Sequence, residues 1–152
     1  MSKITIFKDI KDTSQPFYRD AIIILNRIKE GSSKDLVKKI RQEKDKSARN
    51  LLKQSLPAIC FSGMFTKRTD SAISEHSGLI CLDFDGYKTN KDMLQEKERL
   101  SKDKHVYSVF ISPSGNGLKA VIKIPTEVDD HKKYFKSLEI HFNSPNFDKT
   151  SK

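Results

Sequence analysis

The feature that most constrains this chain is a short apolar run that ends in two acids, residues 79–86 with the sequence LICLDFDG. A run of this length that stops at a glycine predicts a buried β-strand. Asp83 and Asp85 stand two residues apart, so both side chains leave the strand on one face, with Cα atoms about 6.6 Å apart. Two carboxylates at the end of an apolar strand repel each other and are costly to remove from water. A divalent cation relieves both problems, so the pair predicts a metal site; the alternative is a strand end that simply turns at Gly86.

A second candidate element is the loop of residues 112–119, with the sequence SPSGNGLK. Its two glycines and its asparagine permit positive φ, and the backbone N–H groups of such a loop can bind an anion. Lys119 begins the following strand and Lys123 lies on the same face of it, so both charges could meet a triphosphate. The alternative is an ordinary hairpin turn, for which Asn-Gly is a common signal. The candidate nucleotide-binding residues are Ser112, Ser114, Gly115, Asn116, Gly117 and Lys119.

A third candidate is the acid of the Phe147-Asp148 pair near the end of the chain. Taken alone, a surface Asp near a terminus is the default interpretation. In a β-α-β-β-α-β unit, however, the segment after the second helix approaches the first strand, so an acid there can reach the metal site. We therefore predict that Asp148 completes that site. By contrast, we expect structural or exposed positions for the four histidines, which show no ligand spacing: His76, His105, His131 and His141.

The periodicity of the chain predicts an α+β domain. In the N-terminal part we expect a strand over residues 3–7, helices over 17–28 and 34–54, a strand over 58–61 and an irregular stretch over 62–77. From residue 79 the pattern predicts a strand (79–85), a helix (90–100), two strands (106–111 and 118–124) and a helix (129–142). This β-α-β-β-α order is typical of a ferredoxin-like or RRM-like core. No closing strand is evident, so we expect one domain over residues 1–152 that is incomplete at its C-terminus, with a basic helical part (1–57) and a core that carries the site (58–152).

The positive charge is concentrated in the N-terminal part. The chain has 29 Lys and Arg residues against 20 Asp and Glu residues, and residues 1–57 alone hold 14 basic and 7 acidic residues. This imbalance predicts a polyanionic partner such as nucleic acid, and the alternative is a solvated, lysine-rich helical surface. The candidate nucleic-acid-binding residues are Lys34, Lys38, Arg41, Arg49, Lys67 and Arg68.

The sequence also excludes several classes of protein. No stretch approaches the ~18 consecutive apolar residues of a membrane span, so we expect no membrane partner. The N-terminus lacks the apolar segment of a signal peptide, so we expect no export. The two cysteines, Cys60 and Cys81, lie in apolar runs, and we interpret them as reduced core residues rather than as a disulfide or metal ligands.

The three candidate segments together resemble the motifs of archaeo-eukaryotic-type primases, and most closely the VirE N-terminal domain of bacterial and phage mobile-element proteins. The resemblance implies a primase or primase-polymerase that makes short strands from NTPs or dNTPs on a single-stranded DNA template. It implies that Asp83, Asp85 and Asp148 bind catalytic Mg²⁺ or Mn²⁺ and that the glycine loop holds the incoming nucleotide. It also implies a fused or associated helicase and a cytoplasmic location in a prokaryotic or phage-infected cell.

Lys119 departs from the pattern of that family, in which many members carry His at this position. Lys binds phosphate as a point charge and does not copy the geometry of an imidazole. A non-catalytic DNA-binding or replication module of the same fold is therefore the main alternative. A phosphohydrolase of the haloacid-dehalogenase type is a further alternative, because residues 82–86 (LDFDG) also fit its nucleophile motif. That fold requires the motif near the start of the chain, whereas here it begins at residue 82. It also requires a doubly wound sheet, which the β-α-β-β-α order does not provide.

Overall fold

The computed structural model describes residues 2–126 and 130–150, and they adopt a mixed α+β structure. The chain divides into two compact units, Met1–Ser77 and Gly78–Lys152. The described residues form five α-helices and three small antiparallel sheets. The predicted α+β class is therefore confirmed, and the first unit extends beyond the basic part that we predicted over residues 1–57.

The first unit is built around β1, the central strand of a three-stranded sheet with the order β2-β1-β3. Its elements are β1 (Lys3–Phe7), β2 (Phe17–Asp20), α1 (Ala21–Glu30), α2 (Lys34–Gln42), α3 (Lys46–Lys53), β3 (Ala58–Cys60), β4 (Gly63–Phe65), a 3₁₀ turn (Asp70–Ala72) and β5 (Ile73–His76). Thr5 of β1 is fully buried. Its hydroxyl donates to the Gly63 carbonyl at 2.7 Å and accepts the Phe65 N–H at 2.9 Å, so this buried polar group is satisfied and ties β1 to β4.

The start of the first predicted helix is wrong, because residues 17–20 form a strand. Strand β2 pairs with the edge of β1 that faces away from β3, antiparallel from Lys3↔Asp20 to Ile6↔Phe17. The Tyr18 hydroxyl also donates to the Phe65 carbonyl at 2.8 Å. These contacts with distant residues outweigh the helical spacing of the apolar side chains, and the helix begins only at Ala21.

The second predicted helix, over residues 34–54, is two helices separated by a short break. Asp45 lies in the extended conformation and its carboxylate accepts the Ala48 N–H at 2.8 Å, which is the geometry of an N-cap. Helix α2 buries Ile40, whereas the eight residues of α3 include none that is fully buried. The cap at Asp45 therefore starts a new helix where the apolar pattern alone suggested continuity.

Residues 62–77, predicted to be irregular, contain an ordered hairpin formed by β4 and β5. The two strands pair antiparallel from Gly63↔His76. Gly63 permits this approach, because a Cβ atom there would overlap the carbonyl oxygen of Glu75. The apolar pattern did not predict this hairpin, because the hairpin depends on a close backbone contact at Gly63 that the pattern does not encode.

The second unit follows the predicted order of strands and helices. Its elements are β6 (Leu79–Phe84), α4 (Asn90–Ser101), β7 (Val106–Ile111), β8 (Leu118–Lys123) and α5 (His131–Phe142). The sheet order is β6-β8-β7, and both neighbouring pairs are antiparallel. Asp129, predicted to begin the last helix, lies outside the described residues. Alternate residues of the sheet pack with both helices in one core, whose members are Ile80, Leu82, Phe84, Met93, Leu100, Leu118, Ala120, Ile122, Phe135, Phe142 and Phe147.

The segment after α5 returns to the outer edge of β6. Phe147 forms an antiparallel bridge with Phe84, so a single bridge stands where we predicted that the closing strand is missing. The Phe147 ring is buried and meets Phe84 and Phe135 edge to face, with centroids 5.5 and 5.2 Å away. Packing of this aromatic ring and the backbone bridge together hold the C-terminal segment beside β6.

Candidate functional site

The centre of the candidate site is a row of three charged residues across the end of the second sheet. Asp83 lies directly opposite Lys119 in the pairing of β6 with β8. On the other edge of β6, the Asp148 N–H donates to the Asp83 carbonyl at 2.8 Å. Residues that face each other in antiparallel strands share a face of the sheet. Asp148, Asp83 and Lys119 therefore form one row, as the position of the C-terminal segment led us to predict for the two acids.

Asp85 lies next to this row, one residue beyond the end of β6. It is two residues after Asp83 and is exposed. Its N–H donates to the Asn146 carbonyl at 2.8 Å, and its own carbonyl accepts the Asn146 side-chain amide at 2.7 Å. Asn146 thus bonds both the N–H and the carbonyl group of Asp85, and the Asp85 carboxylate remains on the surface.

Lys119 forms an ion pair with the first acid of the pair. Its ammonium lies 2.7 Å from Asp83 Oδ1, and 34% of the Lys119 side chain and 28% of the Asp83 side chain are exposed. Burial acts to lower the pKa of Lys119, but the charge of Asp83 and its hydrogen bond outweigh this effect, and the pKa lies above its ordinary value. Asp148 adds a smaller contribution in the same direction. Lys119 is therefore a permanent cation at neutral pH, placed against the acids.

Asp148 is held as a carboxylate by the turn that follows it. Both the Thr150 hydroxyl and the Thr150 N–H donate to Asp148 Oδ1, at 2.6 and 2.9 Å. These hydrogen bonds hold the pKa of Asp148 below its ordinary value, and the charge of Lys119 acts in the same direction. The residue is partly exposed. It is thus ionised at neutral pH and available beside Asp83.

The glycine loop packs directly against the end of β6. A Cβ atom at Gly117 would lie 2.9 Å from the Phe84 carbonyl oxygen and 3.5 Å from the Asp85 Cβ, so only glycine fits without a shift. Within the loop, the Ser112 N–H donates to the Gly117 carbonyl at 2.8 Å and the Gly115 N–H to the Ser112 carbonyl at 2.9 Å. Gly115 adopts a positive φ of 82°. The loop is therefore a closed turn, and two of the amides that we expected to face an anion bond inside it.

The polar side chains of the glycine loop lie at its surface. Lys123, the second lysine of β8, does not lie beside them. Ser112 and Ser114 are half-buried, and Asn116 is exposed. Lys123, expected to meet a triphosphate together with Lys119, lies at the last position of β8 with its ammonium 5.1 Å from the centre of the Tyr107 ring. Of the two lysines, the structure places only Lys119 beside the acids.

Glu96 is a supporting residue that the sequence analysis missed. It lies on α4, and its carboxylate accepts hydrogen bonds from the Tyr87 hydroxyl (2.7 Å), the Ser144 hydroxyl (2.6 Å) and the Arg99 guanidinium (3.1 Å). Burial acts to raise the pKa of Glu96, but these hydrogen bonds outweigh it and hold the pKa below its ordinary value. Glu96 therefore ties the segment after Asp85 to the segment before Asp148. Tyr87 and Ser144 are 9 and 48 residues away from Glu96, and no local motif signals these two contacts.

The predicted nucleic-acid-binding residues all lie in the first unit. Lys34, Lys38 and Arg41 share one side of α2, at helical spacings of four and three residues, and all three are exposed. Arg49 lies on α3. Lys67 and Arg68 lie in the connection between β4 and the 3₁₀ turn, where the Arg68 N–H donates to the Thr13 carbonyl at 2.9 Å. The acids and the glycine loop, in contrast, all lie in the second unit.

The two cysteines are free thiols that are half-buried. Burial raises the pKa of Cys60, and it raises the pKa of Cys81 to about 12. Both thiols are therefore protonated at neutral pH, the form of cysteine with low reactivity.

The fold and the site together define an α+β protein with three acids and a lysine gathered at the end of a sheet, beside a glycine loop. Over residues 51–145 the chain matches the family described as BT4734-like, N-terminal domain, and it belongs to that family. The matched residues include Asp83, Asp85 and the glycine loop, and they end before Asp148. No curated protein and no solved structure matches the chain significantly. Among the described residues, none of the helices has the length and apolar character needed to cross a bilayer.

Proposed function

We propose that the second unit is the catalytic core of a metal-dependent nucleotidyltransferase of the primase or primase-polymerase type, acting in the replication of a mobile element or phage. One observation carries this proposal: three segments far apart in the sequence meet at one end of the sheet. Gly117 abuts the Phe84 carbonyl, and Asp148 bonds to Asp83 from the other edge of β6. The meeting brings together the acids that we assign to the metal and the glycine loop that we assign to the nucleotide.

The topology of the second unit supports a ferredoxin-like core. The order is β-α-β-β-α, with the first strand paired to the third and the third to the second. The segment after the second helix then bridges the first strand on its free edge. We infer that β6, β7, β8 and the bridge at Phe147 correspond to the four strands of a β-α-β-β-α-β unit.

The three acids offer the type of ligand that a hard divalent cation prefers, but their carboxylates have to draw together to bind one: among the described residues, the cluster with ligand atoms within 4.8 Å of one another is that of Asp103, His105 and His141. Asp83, Asp85 and Asp148 offer carboxylate oxygens, the ligands that Mg²⁺ and Mn²⁺ prefer. When bound, such an ion would neutralise phosphate charge and favour attack by a 3′-hydroxyl. Lys119 now shares Asp83 Oδ1, so we infer that its ammonium moves toward a triphosphate when nucleotide and metal bind together.

Different residues of the chain bind the cation, the nucleotide and the template. Asp83, Asp85 and Asp148 hold the cation, Lys119 neutralises the triphosphate, and the loop of residues 112–117 limits the space in which the nucleotide lies. The basic side of α2 binds the phosphate backbone of a single-stranded DNA template. The substrates in this proposal are NTPs or dNTPs, and a fused or associated helicase supplies the template. The function places the protein in the cytoplasm of a prokaryotic or phage-infected cell.

A second candidate is a non-catalytic DNA-binding or replication module. The observation that favours it is the ion pair between Lys119 and Asp83, because an internal cation neutralises one of the acids without a metal. The phosphohydrolase alternative is disfavoured, because β6 pairs antiparallel with β8 and does not belong to a parallel, doubly wound sheet.

The test of the proposed function is synthesis of labelled strands on single-stranded DNA by the purified chain. With Mn²⁺ or Mg²⁺ and labelled nucleotides we expect products that grow with time and disappear when EDTA is added. Phosphate release without strand products would support the phosphohydrolase. Salt-sensitive DNA binding without any nucleotide incorporation would support the non-catalytic module.

Lys119→Ala is expected to weaken nucleotide binding roughly 10- to 150-fold, because a charge-assisted contact contributes about 1.5–3 kcal/mol. In the absence of nucleotide, the same variant should bind Mn²⁺ at least as tightly as the wild type, since Asp83 loses its ionic partner. Titration calorimetry measures both affinities. Lys123→Ala is the matched control, because Lys123 lies on the same strand and has its ammonium against Tyr107. Unchanged nucleotide affinity in Lys119→Ala would reduce the loop to an ordinary hairpin turn.

Replacing Lys34, Lys38 and Arg41 together with Gln is expected to reduce the salt dependence of single-stranded DNA binding. Each neutralised phosphate contributes about −0.7 to the log–log slope, so loss of three contacts should flatten the slope by about 2. Fluorescence anisotropy at several salt concentrations gives the slope. The control replaces three lysines of the second unit, Lys91, Lys97 and Lys104. If both triple variants change the slope equally, α2 is only a solvated, charged surface.

A further inference from the structure

A second cluster of metal-ligating side chains lies away from the acids, near the start of β7. One carboxylate oxygen of Asp103 and one ring nitrogen each of His105 and His141 lie within 4.8 Å of one another. The His141 Nε2 atom is 2.7 Å from Asp103 Oδ2. The His105 and His141 rings meet edge to face with centroids 5.4 Å apart. Sequence spacing gave no hint of this cluster, because α5 and the turn after α4 bring His141 and Asp103 together across 38 residues.

Two hydrogen bonds fix the backbone of His105 within this cluster. The His105 N–H donates to Asp103 Oδ1 at 2.9 Å, and the His105 carbonyl accepts the Lys123 N–H at 3.0 Å. Burial acts to raise the pKa of Asp103, but the His105 N–H and the two imidazoles outweigh it, so the pKa lies below its ordinary value. The two hydrogen bonds therefore fix the backbone of His105 and the orientation of the Asp103 carboxylate before any ion binds.

The separations in the cluster are close to those of a tetrahedral site. Zinc–nitrogen bonds of about 2.0–2.1 Å place neighbouring ligand atoms about 3.3 Å apart, and the centres of two bound imidazoles about 5 Å apart. The hydrogen-bonded pair must open by less than ~1 Å to reach that spacing, and no other pair has to close by more than about 1.5 Å. Asp103 is half-exposed and both histidines are exposed, so rotation of their side chains suffices.

We propose that Asp103, His105 and His141 form a binding site for a zinc-type transition-metal ion, separate from the acids at the other end of the sheet. Two imidazoles and one carboxylate suit Zn²⁺ and neighbouring transition metals, whereas Mg²⁺ prefers oxygen ligands alone. Lys123, which holds His105, lies four residues along β8 from Lys119, or about 13 Å. The bound ion links the C-terminal end of α5 to the turn before β7 and leaves a fourth position for water or a group of a partner molecule.

The test is titration of Zn²⁺ into the chelator-treated chain by calorimetry. We expect one ion to bind at this cluster with micromolar or tighter affinity, with any ion at Asp83, Asp85 and Asp148 binding more weakly, and no measurable binding of Mg²⁺ at the cluster. His105→Ala and His141→Ala should each weaken Zn²⁺ binding at least ~100-fold, since even partners of metal ligands typically contribute 10- to 100-fold. His131→Gln is the matched control: it also lies on α5, ten residues before His141 and about 15 Å away, and should bind Zn²⁺ as the wild type does.

Two further measurements keep the result unambiguous. Circular dichroism of each variant establishes that it is folded, which we expect because both histidines are exposed. In the wild type, Zn²⁺ should perturb the NMR signals of the His105 and His141 imidazoles and raise the thermal midpoint by roughly 5–10 °C at 100-fold excess over Kd. Absence of Zn²⁺ binding, or equal affinity in wild type and both Ala variants, would overturn the proposal.

Discussion

Asp83→Asn is expected to reduce metal-dependent nucleotide incorporation by at least ~100-fold while the chain remains folded. Asp83 is the central acid of the row, because Lys119 and Asp148 both lie against it. An amide at this position removes the charge that attracts a cation, yet it can still accept a hydrogen bond from Lys119. Asn is therefore a cleaner replacement than Ala, which would leave the half-buried ammonium without the hydrogen-bond partner that Asp83 provides.

The measurement for this prediction is the rate of labelled nucleotide incorporation, with circular dichroism as a check of folding. Asp92→Asn serves as the matched control, because Asp92 is an exposed acid of α4 in the same unit. We expect that control to retain the wild-type rate. A folded Asp83→Asn protein that keeps most of its incorporation rate would remove Asp83 from the catalytic site.

Gly117→Ala is expected to have the second largest effect, lowering both stability and nucleotide affinity. The added Cβ would meet the Phe84 carbonyl oxygen at 2.9 Å, and a backbone atom cannot move aside as a side chain can. Forcing extra volume into such a contact typically costs 1–3 kcal/mol, so the loop should shift away from the acids. We expect nucleotide affinity to fall about tenfold or more, because loop and acids no longer face one nucleotide together.

Denaturant unfolding and nucleotide titration test the effect of Gly117→Ala. Gly31→Ala is the matched control, since Gly31 also has a positive φ of 78° but ends α1 in the first unit. That control should lose stability through the left-handed backbone conformation and keep its nucleotide affinity. Wild-type nucleotide affinity in Gly117→Ala would show that the loop takes no part in the site.

The second unit was largely predictable from the sequence because its signals are local. The apolar run of β6 ends at the acids, the two strands β7 and β8 flank a Gly-rich turn, and α4 begins at a capping threonine, Thr89. These elements follow from side-chain pattern and turn chemistry. The approach of Asp148 to Asp83 was expected from the topology of a β-α-β-β-α-β unit, and the structure brings the two residues together.

The first unit was less predictable because distant contacts override its local pattern. Residues 17–20 have helical spacing, but pairing with β1 makes them a strand. The hairpin of β4 and β5 depends on the close backbone approach at Gly63. The break before α3 did have a local signal in the cap residue Asp45, which the apolar periodicity concealed.

The sequence did not predict the parts of the site that depend on contacts between residues far apart in the chain. The ion pair of Lys119 with Asp83 arises from strand register, and the hydrogen bonds of Glu96 join α4 to segments on either side of it. The cluster of Asp103, His105 and His141 has the same origin. None of these contacts has a spacing rule in the sequence.

The most direct test of the proposed active site is a crystal structure of the chain with Mn²⁺ and a non-hydrolysable nucleoside triphosphate. The anomalous scattering of manganese locates the ion independently of the surrounding density. We predict a manganese peak bound by Asp83, Asp85 and Asp148, with the triphosphate between the loop of residues 112–117 and the Lys119 ammonium, which has left Asp83. A nucleotide bound elsewhere, or an ordered site in which Lys119 remains on Asp83 and no manganese peak is present, would contradict it.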